Sequence, residues 1–567
     1  MNLRRLLILS PLLALAACQS LPAPGPQFAH EGGVPPAPPM LDARGEAVFH
    51  VLAGEMAAQH GQLVQAATHF LAAARHESDA RLAERATQYA LLARSHEMAL
   101  EAAQLWAEVD PQRMEARRAL VMLLLHLEQV DEATHHALDL LELRADDRED
   151  ALRDLIGLLR GERSAAALAL MDKVVEAYPQ EPEAWRAHAH VAATTGEFER
   201  AMRSLGRALE LRPDWADALV LKADVLARSG QRGAAIELLY RELARDPGDH
   251  GLRTFLARML VDEQRHHEAL AEYLVILADD PANADARLAA GLLALQLGEL
   301  VQAERHLLAL LDTGERTQEA GFFLGQTAER QGHPERALEW YRTVYQGSYF
   351  MDAQVRIALL MADGGDIEDA RRHLRMVEPV DLDEELRLYL VEAELLRRAR
   401  HYDDAYAVLS EALTTIPDQI ELLYARALVA ASLGWVEQVE ADLSEVLRQE
   451  PDNAMALNAL GYTWADHHMR LDEAYAMIRR ALEQEPDNAA ILDSMGWVYF
   501  RMGELERARH YLERALAIEF DAEIAAHLGE VFWVQGHHEQ AREVWRRAAD
   551  HDPDHPVLRE TVDRLDP

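Results

Sequence analysis

One cysteine, few aromatics and a shortage of positive charge bound what this 567-residue chain can be. Cys18 stands alone, so no intramolecular disulfide can form. Aromatic residues supply only 6% of the chain. Lys and Arg number 57 against 97 Asp and Glu, a formal charge of −40. A nucleic-acid binder needs a basic face to displace counterions from phosphates, and no Lys/Arg-rich stretch supplies one. Nucleic acid is therefore not an expected partner. The acidity instead favours basic proteins or basic segments. Catalytic signatures are missing too: there is no His-Glu-x-x-His, no Gly-rich loop ending in Lys-Ser/Thr, and no Gly-x-Ser-x-Gly elbow. The doublets His266-His267, His467-His468 and His537-His538 read as exposed polar turns, and Asp146-Asp147 and Asp279-Asp280 as caps at helix ends. No enzyme activity, metal or cofactor is expected.

What the chain does have is a beat. Pro179, Pro213, Pro247 and Pro281 fall 34 residues apart, and after four further periods the series resumes at Pro417 and Pro451. A fixed period of this length marks one supersecondary unit stacked many times. Ala, Leu, Glu and Arg dominate the composition, so the unit is helical. A register of fifteen helical hairpins fits, starting at 47, 80, 114, 148, 182, 216, 250, 284, 318, 351, 386, 420, 454, 489 and 522. The eighth position is small (Gly461, Gly496 and Gly529, for example) and the twentieth is usually Ala (Ala508 and Ala541), which lets the two helices of a hairpin approach closely. Proline near position 32 ends the second helix, and turns such as Thr195-Gly196-Glu197 and Met502-Gly503-Glu504 separate the first helix from the second. Over roughly residues 47–554 this pattern resembles the tetratricopeptide repeat (TPR). The resemblance implies an all-α fold, a right-handed superhelical solenoid of about fifteen hairpins.

Two departures stand out. The proline beat is missing between Pro281 and Pro417, and Met376-Val377-Glu378-Pro379-Val380-Asp381 interrupts the end of one hairpin. A change of superhelical pitch is expected there, dividing the solenoid into an N-terminal arc (46–350) and a C-terminal arc (351–567). The second departure is one extra residue near His467-His468-Met469. Beyond Pro556, residues Val557 to Leu565 read as a capping helix.

The N-terminus reads as an export signal. Arg4 and Arg5 precede an apolar run from Leu6 to Leu15 that is too short to span a bilayer. Leu15-Ala16-Ala17-Cys18 then resembles the lipobox of bacterial lipoproteins. That resemblance implies removal of residues 1–17 and acylation of Cys18, and Gln19 beside it implies delivery to the outer membrane. Residues 18–45, with seven prolines, read as an extended tether.

In stacked hairpins of this kind the first helix lines the concave side through positions 2, 5, 9, 12 and 13, whereas position 11 points between helices. Trp464, Tyr499 and Phe532 take position 11 and are expected in the core. Tyr462, Trp497, Phe500 and Trp533 are expected to face the groove, beside Asn458, Asp466, Asp493, Arg501 and Glu530. Aromatic anchors among amide and carboxylate groups suit peptide capture.

The run Leu457-Asn458-Ala459-Leu460-Gly461-Tyr462-Thr463-Trp464-Ala465-Asp466, with Ile491-Leu492-Asp493-Ser494-Met495-Gly496-Trp497 and Ala525-Ala526-His527-Leu528-Gly529-Glu530, is more particular than a generic repeat. Together with the lipobox and the length, it resembles the large outer-membrane TPR lipoproteins of Gram-negative bacteria, which include the adaptor of a periplasmic carboxy-terminal processing protease. The resemblance implies a scaffold that binds this protease and its substrates, among them cell-wall hydrolases. A scaffold for assembly or export of outer-membrane proteins or polysaccharide remains the alternative.

Overall fold

The computed structural model describes residues 43–159 and 164–566. The signal segment, Cys18 and nearly all of the tether lie outside them. Every regular element among the described residues is a helix. Fifteen pairs of helices follow one another, then a final helix at Pro556–Leu565 where the cap was expected. First helices begin at residues 80, 114, 148, 182, 216, 250, 284, 420, 454, 489 and 522, as the proline beat requires. None of the described helices is long and apolar enough to cross a membrane.

The helices at Thr317 and Phe350 begin one residue early; two other starts shift by four residues, and each of these has a local cause. The first helix begins at Ala43, inside the span assigned to the tether. No proline follows Pro39 there, and Ala43, Arg44 and Glu46 are compatible with a first turn. The Leu382–Arg398 helix starts four residues before the expected 386, because Asp381 caps it through Glu384 N and acidic residues fill its first turn. Before it, residues 377–381 are non-helical, with Val377 in extended backbone. In the hairpin starting at Thr317 the second helix is short, Pro334–Tyr341.

The helices group into two compact units, 1–232 and 233–567. This division does not coincide with the arc boundary expected at 350/351. There, Phe322, Tyr341, Val344, Ala353 and Ile357 form one hydrophobic cluster that runs across the expected joint. In the first unit a long core follows the hairpins from Ala67 to Val225. In the second, the largest core runs from Leu423 to Leu558. The small-residue register explains the close packing of its hairpins. A Cβ built on Gly496 would lie 2.5 Å from Leu512 Cγ and 3.1 Å from Ala508 O, so only glycine admits this helix pairing. The extra residue of the Ala454–Asp466 hairpin is a four-residue turn, 467–470, in which His468 and Arg470 take positive φ.

Candidate functional site

Three consecutive hairpins of the second unit build the site. Their first helices are Ala454–Asp466, Ala489–Arg501 and Ala522–Val534, and each starts on a capping side chain. Asn453 accepts from Ala456 N, Asn488 from Ala490 N and Ile491 N, and Asp521 from Glu523 N and Ile524 N. Each cap satisfies backbone donors that a helix start leaves open and fixes where the following side chains point.

With the preceding Ile420–Ser432 helix, these three line a groove of about 450 Å³. Tyr424, Leu428 and Ala431 form an apolar end. Asn458, Ala459, Tyr462 and Thr463 lie in the middle, with Asp493 and Ser494 beside them. Glu519, Asp521 and Glu523 form the opposite rim. Positions 5, 9 and 12 of the hairpin at 420, 5 and 9 of the next, and 2 and 5 of the one after all contribute. The structure thus brings Asn458, Tyr462 and Asp493 together in one groove. Asn458 Oδ1 is buried there with no hydrogen-bond partner among the described residues, which leaves an acceptor at a cost of order 1–3 kcal/mol.

Tyr462 donates its hydroxyl to Glu523 Oε1 at 2.9 Å, linking helices two hairpins apart. Burial first, and then the neighbouring charges of Glu523, Asp493 and Asp466, push the phenol well above its ordinary pKa, so it stays a donor. Behind the groove Asp493 accepts from His527 Nδ1 at 2.9 Å. Both are nearly inaccessible, at 6% and 2% exposure. Burial alone would lower the imidazole pKa. The charge of Asp493, its hydrogen bond, and the nearby Glu523 and Asp466 outweigh that and raise it.

The remaining expected groove residues do not open onto this groove. Trp497 is 5% exposed, because His527 of the next hairpin stacks on it at 4.0 Å and Phe500 at 5.0 Å. Its indole N–H donates to Asp466 Oδ1 at 3.1 Å, and the Arg501 guanidinium lies 5.2 Å from its ring centre while donating to Ala465 O. Asp466, Phe500 and Arg501 therefore serve this buried stack, and the expectation of an accessible Trp497 is corrected. Glu530, 5% exposed, accepts from Arg564 of the terminal helix at 2.7 Å. Trp533 packs on Trp545 and His538 beneath Arg542. Trp464, Tyr499 and Phe532 are core, as position 11 required.

Sequence reasoning missed Tyr424 and Leu428, although the same position rule applied to the hairpin at 420 finds both. It also missed His527. That residue sits at position 6, outside the concave set, and only packing between hairpins reveals it. In the first unit, Asp172, His188 and Ser204 form a hydrogen-bonded chain with the order of a nucleophilic triad: His188 Nε2 meets Asp172 Oδ1, and His188 Nδ1 meets Ser204 Oγ, both at 2.9 Å. His188 and Ser204 are buried and Arg200 pairs with Asp172, so the chain clips helices together and presents no reachable nucleophile. Among the described residues no group of three or more His, Cys, Asp or Glu is arranged to hold a metal ion.

Helical hairpins of this register, stacked and lined by a groove, define a class of protein-interaction scaffold. Tetratricopeptide-repeat profiles match residues 152–202, 186–250, 256–315, 302–349 and 469–530. A TPR repeat-containing protein of Pseudomonas aeruginosa is 32% identical over 538 residues, covering 93% of this chain and 90% of that protein. The chain belongs to the tetratricopeptide-repeat family. Among solved structures it is similar to yeast Tom70 (18% identity, 74% of this chain and 95% of that one, TM-score 0.37). It is also similar to a chain of the Cut9–Hcn1 hetero-tetramer of APC/C (14%, 92% and 96%, TM-score 0.33).

Proposed function

We propose that this chain is a non-catalytic scaffold, held at the periplasmic face of the outer membrane through a lipid on Cys18, that captures protein partners in its C-terminal groove. In its most specific form it is an adaptor that delivers cell-wall hydrolases to a carboxy-terminal processing protease. One observation carries the reading. The groove lined by Leu428, Asn458 and Asp493 pairs an apolar end with an unsatisfied acceptor and an acidic rim, in a family whose repeats bind proteins. Such a mixture of apolar floor and few polar anchors suits an extended chain segment. The lipobox-like Leu15-Ala16-Ala17-Cys18 supports the anchor.

Affinity capture from an envelope extract tests this, with the chain and its Leu428→Glu variant run in parallel. Leu428 is 39% exposed, so the substitution alters the groove without burying a charge. Recovery of a processing-type serine protease and peptidoglycan hydrolases is expected, with the hydrolases lost from the variant. Recovery of barrel-assembly or export components instead would overturn the adaptor reading.

A further inference from the structure

The groove is polarised from end to end. Tyr424, Leu428 and Ala431 are largely apolar, whereas the side chains lining the groove that carry charge at neutral pH are all acidic: Asp493, Glu519, Asp521 and Glu523. These carboxylates differ in how they are already engaged. Asp493 is held by His527, Asp521 accepts from two backbone amides, and Glu523 accepts from Tyr462. Glu519 is exposed, and its carboxylate has no ion pair or hydrogen-bond partner among the described residues. Between the two ends Asn458 Oδ1 waits for a donor.

From this arrangement we infer that the groove selects an extended segment of its partner carrying a Lys or Arg next to an apolar residue. The apolar side chain lies on Tyr424 and Leu428, a backbone N–H of the segment meets Asn458 Oδ1, and the cation lies between Glu519 and Glu523. Charge complementarity sets the choice. An acidic side chain at this rim would face like charges and lose its hydration for nothing, whereas a cation gains charge-assisted hydrogen bonds. The inference rests on the groove being a protein-capturing site, and adds which chemistry it accepts.

The test uses the full chain, immobilised, and a library of short randomised peptides, with captured peptides identified by mass spectrometry. Lys and Arg are expected to be enriched about tenfold over the input beside an apolar residue, with Asp and Glu depleted, and raised salt should erase the preference. Glu519→Gln, at an exposed and unpaired site, should cut the enrichment severalfold with helicity unchanged. Leu428→Glu should abolish capture altogether. Capture of neutral or acidic peptides as readily as cationic ones would overturn the charge preference and leave the groove intact. Peptide capture indifferent to Leu428→Glu, or no capture of any peptide, would overturn both.

Discussion

A buried imidazole next to a buried carboxylate is the most consequential pair of residues in the C-terminal hairpins. His527 stacks on Trp497 and bonds Asp493, so it holds one hairpin to the previous one. Removing one member of such a pair leaves the other buried and uncompensated, a cost of about 3–5 kcal/mol. The pH dependence has a definite sign. The folded imidazole titrates above its ordinary value of about 6.5, so the charged pair contributes fully below that value and loses its contribution as pH rises through the folded pKa. Urea unfolding of the protein and of His527→Asn, followed across this range, should show the largest stability gap at the acid end and a narrowing gap on the alkaline side. A gap independent of pH would mean that folding does not shift the His527 titration, and a gap that widens on the alkaline side would mean that the imidazole is neutral in the fold. At this scale the sequence was readable where a side chain answers to its own helix. Asn458, Tyr462 and Asp493 fell into the groove by position alone. Trp497 also sits at a concave position, but its exposure is decided by a residue 30 positions on, which no single-hairpin register contains.

Helices were readable because caps, small residues and prolines act over a few residues. The hairpins at 454, 489 and 522 begin where Asn453, Asn488 and Asp521 put them. The turn with one extra residue was visible as slipped proline timing. The Leu382–Arg398 helix escaped because its start depends on Asp381 in a stretch where the beat is silent. Gly529 shows how tightly the register is enforced. A Cβ there would lie 2.0 Å from Trp545 Nε1, and that indole donates to Ala526 O at 3.2 Å inside the core. Gly529→Ala must push the ring aside, an overpacking cost of about 1–3 kcal/mol that outweighs alanine's better helix propensity. The last hairpin should therefore melt earlier in the variant, and hydrogen exchange should speed up there while the first unit stays unchanged. Equal protection in both proteins would show that the indole has room to move.

On the scale of the whole chain, the proposed anchor separates two behaviours that composition alone does not. No described helix is long and apolar enough to cross a membrane, so the proposal calls for an apolar hold from outside the described residues. Acyl chains on Cys18 would provide one, at about 0.8 kcal/mol per buried CH₂. Cys18→Ala should shift the protein from the membrane fraction to the soluble fraction on envelope fractionation. Retention in the membrane fraction would refute the lipid anchor. The fold was readable from periodicity at this scale, because a repeated unit states its packing many times over. The grouping into units at Arg232 was not, since Gly230 beside it is one of many turn glycines, with counterparts at Gly196, Gly298 and Gly503 in other hairpins.

The hydrogen bond from Tyr462 to Glu523 gives the groove a resident stand-in. The phenol occupies the carboxylate that an arriving cation would claim, much as a guest's hydroxyl would. Loading the groove then sets a charged donor beside a neutral one at Glu523, which engages the phenol through Oε1. Tyr462 thus keeps one rim acid engaged, while Glu519 stays open to solvent.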